Sequence, residues 1–301
     1  MPMAPIVVYI EVDALSLGSY SRIVRPIGHI PPADRFQLEN DQLAQVICQI
    51  KFSPVLRIRQ DDAVVSFQEA IRARYPRYGK QQGVHVLLTP AGIQQQTAEG
   101  AQHRFEDTDG KFRVVLAPEF VALETTDYSD IDDFAERIAA LAATVLEHYS
   151  PAEIQRVGLR FINELRFTAA DPKNEMIDAI EPALLGAAGA PELADVVQGA
   201  QQVLELHGDD RRMLVRHGLQ PGGTTVDPTT VLAAGTPPAE LNQPFYLLDI
   251  DVFAERNLRY SQEAVEADVR DFNDDIRSFF AWGVREDYRR TRLGQKDVET
   301  V

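Results

Sequence analysis

Asp249 and Asp251 are the residues whose type and spacing come closest to a reactive site. They lie two positions apart in the apolar segment Phe245–Phe253, which is typical of a strand. Side chains at i and i+2 of a strand project to the same side, about 7 Å apart. A divalent ion could bind such a pair if a third oxygen ligand joined them. The alternative is that both carboxylates pair with arginines across the sheet, and we favour this ion-pair ladder because a metal needs more ligands.

A second group of polar residues lies in the predicted strand Val157–Phe167. Arg160 and Glu164 alternate onto one face, whereas Asn163 interrupts the apolar alternation of the other face. Buried amides usually satisfy local hydrogen bonds, so we favour a structural role for Asn163 over a place in a site. The candidate polar site therefore consists of five residues: Arg160, Asn163, Glu164, Asp249 and Asp251.

The usual motifs of catalysis and cofactor binding are absent from the sequence. There is no glycine-rich loop followed by lysine, no Gly-x-Gly-x-x-Gly after a strand, no His-Glu-x-x-His and no nucleophile-elbow serine. The single cysteine, Cys48, falls on the apolar face of a predicted strand and is interpreted as a core thiol. The six histidines show no metal-ligand spacing. We predict no metal and no cofactor, and we favour binding over catalysis.

Composition restricts the classes of partner. The net charge is −16, from 30 basic and 46 acidic residues, which argues against general nucleic-acid binding because that needs a basic surface. A local basic patch near the C-terminus is the exception, and we interpret it as a solvated helix end: Arg285, Arg289, Arg290, Arg292 and Lys296. No apolar run is long enough to cross a bilayer and no signal-peptide pattern is found, so we expect no membrane association and a cytoplasmic location.

The elements that would position these residues occur in the same order twice. Tyr128-Ser129 and Tyr260-Ser261 each follow a strand-like segment and precede an amphipathic helix, with serine as the expected N-cap. The two halves, about 36–150 and 151–285, each predict a strand, a helix, three strands and a long helix. We place residues 1–35 outside this unit as an extension, and residues 286–301 as a basic polar tail. The segment from Pro221 through Pro238 is predicted to be a flexible insertion.

This pattern predicts an α+β fold. Hairpin-connected strands favour a curved antiparallel sheet, with the long one-sided helices covering one of its faces. The arrangement is an internal duplication about a pseudo-two-fold axis, and its topology resembles that of the TATA-binding protein. Likeness of topology does not determine function.

Three segments carry a resemblance at the family level: Leu123–Ser129, Arg156–Asn163 and Leu247–Asp251. Together they resemble the markers of a sporadically distributed prokaryotic family of proteins with no assigned function, over about residues 36–285. The resemblance implies a shared fold unit and supplies no catalytic residues. The patchy distribution of that family implies a defence or mobile gene cassette.

The function that we expect is a non-catalytic binding or protein-interaction module, whose partner is another protein or a second copy of the chain. The alternative is a metal-dependent hydrolase or nuclease that uses Asp249, Asp251 and Glu164, with Arg160 as an anion clamp. A third possibility, a ligand-sensing regulator, would require a DNA-binding module, and the N-terminal extension has no helix-turn-helix pattern.

Overall fold

A large antiparallel sheet and several helices form this mixed α+β protein. The structure is a computed structural model that describes residues 27–40, 42–89, 92–167, 171–193, 196–226 and 241–298, with the backbone alone for residues 81–101. The expected strand-like segment Ile6–Val12 and most of the predicted insertion, residues 227–240, lie outside the described residues. No helix in the described ranges combines the length and the apolar character needed to cross a membrane.

The strands and helices are numbered in chain order. The strands are β1 (Phe36–Gln37), β2 (Leu43–Phe52), β3 (Arg77–Thr89), β4 (Gly92–Glu106), β5 (Phe112–Ala117), β6 (Phe120–Thr125), β7 (Glu153–Arg166), β8 (Gln202–His207), β9 (Arg212–Gln220), β10 (Phe245–Arg259) and β11 (Lys296–Asp297). The helices are α1 (Asp61–Ile71), α2 (Ile131–Tyr149), α3 (Pro172–Ala179), α4 (Pro182–Leu185), α5 (Gln262–Gly283) and α6 (Glu286–Thr291). Two short 3₁₀ turns lie at Leu56–Arg59 and Gly186–Gly189.

Nine strands form the main sheet in the order β3-β4-β5-β6-β2-β7-β10-β9-β8. Every neighbouring pair is antiparallel, and β2 and β7 lie together at the centre. Alternate residues of the central strands, such as Cys48 of β2 and Leu159 of β7, join one buried cluster with the apolar stripes of the helices. Cys48 is fully buried, which confirms its prediction as a core thiol.

The ends of the helices follow from local side chains. Ser261 accepts a hydrogen bond from the amide of Ala264, which confirms it as the N-cap of α5. At the first Tyr-Ser junction the N-cap of α2 is Asp130, not Ser129, because the Asp130 carboxylate accepts from the amides of Asp132 and Asp133. The positive end of the helix dipole also stabilises a carboxylate at this position.

The prediction of three strands between α1 and α2 is wrong. The chain forms four strands there: β3 is the additional strand, and it pairs with β4, which includes the glycine- and glutamine-rich stretch Gly92–Gln102. His103–Glu106 of β4 pairs with β5 in a hairpin, as the sequence segments His103–Glu106 and Lys111–Val115 on either side of the turn Asp107–Gly110 predict.

Residues on both sides of the predicted domain pack against it. Ile27 is buried in the main core, and the backbone of Ala33 accepts from Arg277 and donates to Ser278 of α5. The amide of Val298 donates to the carbonyl of Arg35 beside the pairing of β1 with β11, so the segments before residue 36 and after residue 285 meet. The expected boundaries at 36 and 285 therefore exclude residues of the folded unit.

The interpretation of the C-terminal arginines as a solvated helix end is wrong for Arg289. Its side chain is buried, donates to the carbonyl of Val284 and to Gln295, and lies over the ring of Phe36. Arg290, one helical position further on, is 46% exposed and pairs with Glu286.

Candidate functional site: the polar face of the sheet

The second face of the sheet, away from the helix-packed residues, carries a network of arginines and carboxylates. It results from the alternation of β7, β10 and β9, which places Arg156, Arg160, Asp249, Asp251 and Arg216 on one side. We call this side the polar face. Residues between them in sequence, such as Leu159 and Ile250, belong to the core beneath the helices.

Asp249 is the centre of the network. Arg160 binds its carboxylate with two parallel hydrogen bonds, from Nε to Oδ1 at 2.7 Å and from Nη2 to Oδ2 at 2.8 Å. Arg216, directly opposite Asp249 on β9, contacts Oδ2 from the other side at 2.9 Å. The Asp249 side chain is only 4% exposed and that of Arg216 7%, whereas Arg160 remains 29% exposed. One carboxylate thus fixes two guanidinium groups.

Asp251 forms a second pair with Arg156, at 3.0 Å between Oδ2 and Nη2. The guanidinium of Arg156 lies over Gly158, where a Cβ atom would come within 2.4 Å of Nη1. The absence of a side chain at residue 158 therefore gives Arg156 the room to lie across its own strand. The candidate residue Asp251 is also directly opposite Arg160 in the pairing of β7 and β10.

Phe253 extends the polar face along β10. The guanidinium carbon of Arg156 lies 4.5 Å from its ring centre, and that of Arg212 lies 5.0 Å from it. Contacts of this kind stabilise both the ring and the cations. Arg212 also pairs with Glu255.

A second group of ion pairs lies across β4, β5 and β6 on the same face. Arg113 contacts Glu106 at 3.1 Å and Glu124 at 3.2 Å. Ile47 of β2 lies opposite both Glu124 and Arg160, so it separates the two groups. Charges of opposite sign thus alternate within each of the two groups, as in the ladder expected from the sequence.

Glu164 and Asn163, the other candidate residues, do not join this network. Glu164 accepts hydrogen bonds from both hydroxyl groups of Thr224 and Thr225 and from the amide of Thr225, and its second oxygen accepts from Arg166. It anchors the start of the predicted insertion, so that Val226 is buried on the polar face. Asn163 lies on the helix-packed face and donates to the carbonyl of Leu248. This contact is the structural role favoured from the sequence.

Burial determines the direction of the pKa shifts at this site. It raises the pKa of Asp251, although the charges of Arg156 and Arg160 act in the opposite direction. Burial lowers the pKa of Arg216. It would also lower the pKa of Arg160, but the hydrogen bonds and charge of Asp249 outweigh it and raise that pKa above its ordinary value. Arg160 therefore remains charged while it is held in place.

The carboxylates of Asp249 and Asp251 are already paired with arginines. Both oxygens of Asp249 are already engaged by arginine, and no group of three or more His, Cys, Asp or Glu residues within the described ranges is placed to hold a metal. Around Asp249 and Asp251, three guanidinium groups face two carboxylates, which leaves one positive charge in excess. This small region is positive within a chain of net charge −16.

Several of the residues that complete the site were not predicted from the sequence. Arg216 could be found only from the register of β9 against β10, and the chain between these strands is too long for a turn to fix that register. Arg156 lies four residues before Arg160, and the alternation of β7 is the signal that places both on one face. The contacts of Thr224 and Thr225 with Glu164 join distant segments and left no local signal.

Comparison of the chain with protein-family models finds no match, and comparison with curated proteins finds none either.

Proposed function

We propose that this chain is a non-catalytic protein-interaction module of a prokaryotic cytoplasmic system, and that the polar face of its sheet is the recognition surface. The observation that carries the proposal is the locked set of arginines around Asp249 and Asp251, with one positive charge in excess. Such a surface would favour a protein partner that presents carboxylates.

The composition and preorganisation of the surface support this role. Arginine and aromatic residues are enriched at protein interfaces, and here Arg156, Arg212 and Phe253 stack together. Their positions are fixed by partners within the chain, so binding costs less ordering of long side chains. A catalytic carboxylate would instead need an oxygen free to take a proton or a ligand.

The finer description of the fold is also part of the proposal. We infer that the halves arose by duplication, giving a topology like that of the TATA-binding protein. The strand order supports this. The first strands of the two halves, β2 and β7, are neighbours at the centre of the sheet. Each of them also lies beside the last strand of its own half, β6 or β10. We propose membership of the sporadic prokaryotic family, and its defence or mobile-cassette context, on the three sequence markers alone.

The experiment is capture of partners from extracts of the native host, with quantitative mass spectrometry. Arg156→Ala should reduce recovery of the wild-type partner at least about tenfold, the loss expected of an interface hot spot. Arg290→Ala is the matched control, because it removes an arginine from the C-terminal helix α6, and recovery should not change. Circular dichroism checks that both variants are folded.

A second variant tests the geometry rather than the charge. Gly158→Ala keeps every arginine but occupies the space in which the Arg156 guanidinium lies. The fold should persist, because the far end of a long side chain can move, while recovery of the partner should fall. Equal recovery with wild type, Arg156→Ala and Gly158→Ala would contradict the proposal.

The alternative of a metal-dependent hydrolase or nuclease has less support. Its three carboxylates are bound by arginine or by threonine groups, and Glu164 belongs to a separate network. Metal-dependent cleavage that disappears in Asp249→Asn and Asp251→Asn would favour it over the binding role.

A further inference from the structure

Strands β3 and β4 form an arm that extends past the rest of the sheet. They pair with each other from Arg77 opposite Glu106 to Thr89 opposite Gly92, but β5 pairs with β4 only over His103–Glu106. Beyond that point, Gln81–Thr89 and Gly92–Gln102 have no other strand beside them within the described residues. Nine residues at 3.4 Å each make this arm about 30 Å long.

Among the described strands, none pairs with the outer edge of β3. β3 is the last strand of the sheet order, and among the described elements β4 is the one with which it makes extensive contact. A two-stranded ribbon alone is marginally stable in water, and a long free edge is a template for another strand. An element of this kind is expected to be completed by a further strand.

The residue types of the arm differ from those of the rest of the chain. Residues 81–102 include one formally charged residue, Glu99, although a quarter of the chain is charged. Val84, Val86 and Leu88 occupy alternating positions of β3, with Ile93 opposite Leu88. Two copies of a protein with a net charge of −16 repel each other, and this repulsion is weakest where the contacting segments are neutral.

We propose that the arm is a dimerisation element, in which β3 pairs antiparallel with β3 of a second copy about a two-fold axis. A two-fold axis perpendicular to a sheet brings an edge strand antiparallel to itself, so its hydrogen-bonding groups match without any change of sequence. The other edge strand of the sheet, β8, is less suited because it has only six residues and exposes Glu205 and His207.

The first test removes the arm and keeps its base. Gln81 and Gln102 are paired opposite each other, so residues 82–101 can be replaced by Asn-Gly, which closes a two-residue hairpin. The wild-type chain should sediment as a dimer at roughly 10–100 µM, the range for a small interface, and the shortened chain as a monomer. A monomeric wild type, or a shortened chain that remains dimeric, would overturn the proposal.

The second test reads the register and does not depend on deleting residues. Single cysteines are introduced along β3 from Val84 to Leu88, in a chain whose own Cys48 is fully buried. Directly opposed residues of antiparallel strands lie about 4.5–5.5 Å apart, within the range of a disulfide. One position should cross-link most strongly, and cross-linking should fall at the positions beside it.

The cross-linking experiment has its own control and its own contrary outcome, separate from those of the polar face. Leu56→Cys lies on the body and is 63% exposed, so it should give little cross-linked dimer. Uniform cross-linking along β3, or none, would exclude a fixed two-fold pairing. Capture of a partner by the polar face should persist in the shortened chain, so either proposal can fail without the other.

Discussion

The two faces of the sheet are built by the same strands and stabilised by different physics. On β7, Leu159 and Phe161 pack beneath the helices, whereas Arg160 between them binds Asp249 on the polar face. Apolar burial is insensitive to direction, and many side chains can fill the same space. The polar face depends on a few directional contacts, each of which satisfies a charge that would be costly if left alone.

This difference determines what the polar contacts on each face of the sheet contribute. Asn163 and Arg160 are three residues apart in sequence and lie on opposite faces, and each is satisfied by β10: Asn163 by a backbone carbonyl and Arg160 by a carboxylate. The first contact supports the sheet whatever its function. The second fixes a cation at a surface, which stability alone does not require.

The largest expected effect compares one residue type on the two faces. Phe272 of α5 is fully buried in the main core, so Phe272→Ala should lower the free energy of unfolding by about 3–5 kcal/mol, because it leaves a cavity. Phe253 is partly exposed on the polar face, and Phe253→Ala should cost about 1–2 kcal/mol from lost stacking and burial. Urea unfolding of both variants measures the difference. Equal losses of unfolding free energy would contradict the distinction between the two faces.

A smaller effect is expected from the centre of the polar face. Asp249→Asn keeps the shape of the side chain but leaves the charge of buried Arg216 uncompensated. The free energy of unfolding should fall by about 2–4 kcal/mol, somewhat below the usual loss for a buried pair because Arg160 is partly exposed to solvent. Urea unfolding measures this loss.

The matched control for that variant is Asp297→Asn. Asp297 makes an exposed pair with Arg290 at 3.2 Å, and water and salt screen such pairs. Its replacement should leave the unfolding curve unchanged. If both substitutions have the same effect, the polar face is no different from ordinary surface charge.

The smallest effect concerns a titratable group beneath the helices. His217 is fully buried, its Nδ1 lies 2.9 Å from the hydroxyl of Tyr246, and burial lowers its pKa below the ordinary 6.5. The unfolded chain therefore takes up the proton first, so stability is present above about pH 6.5 and is lost as the pH falls below it.

His217→Leu should make the free energy of unfolding less dependent on pH between about 5 and 7. Part of the dependence should remain, because burial lowers the pKa of His103 as well. Unfolding curves collected across this range measure the slope. Identical slopes in wild type and variant would show that His217 does not contribute.

Periodicity made much of the fold predictable. The apolar stripe and polar start of α2, the Asp171-Pro172 start of α3, and the break before Pro182 are local signals, and the structure has each of them. The pattern of β2 predicted its buried face for the same reason. The spacing of apolar residues in a helix or a strand reflects burial of one side, so these elements can be predicted from the sequence.

Sequence patterns do not predict two kinds of feature. One is a strand without alternating apolar residues, and the other is a contact between residues that are far apart in the sequence. Residues 92–102 of β4 are rich in glutamine and glycine, so no alternation distinguishes them from a loop, and the alternation of β3 is limited to Val84, Val86 and Leu88. For the site, the alternation of β7 and β10 predicted a shared face for Arg160 and Asp249, but Arg216 required a register between strands separated by a long connection. Residues paired across neighbouring strands are close in space but can be far apart in the sequence, so local patterns do not identify them.

The pairing of β1 with β11 has a consequence for the order of events during synthesis. Ala33 must find Ser278, which is 245 residues away, and Gln37 must find Lys296 near the end of the chain. At a ribosomal rate of 5–20 residues per second, the early segment waits roughly 10–50 s for its docking site to be made. Residues 27–40 therefore leave the ribosome long before the residues with which they pair, and they are among the last of the described residues to fold.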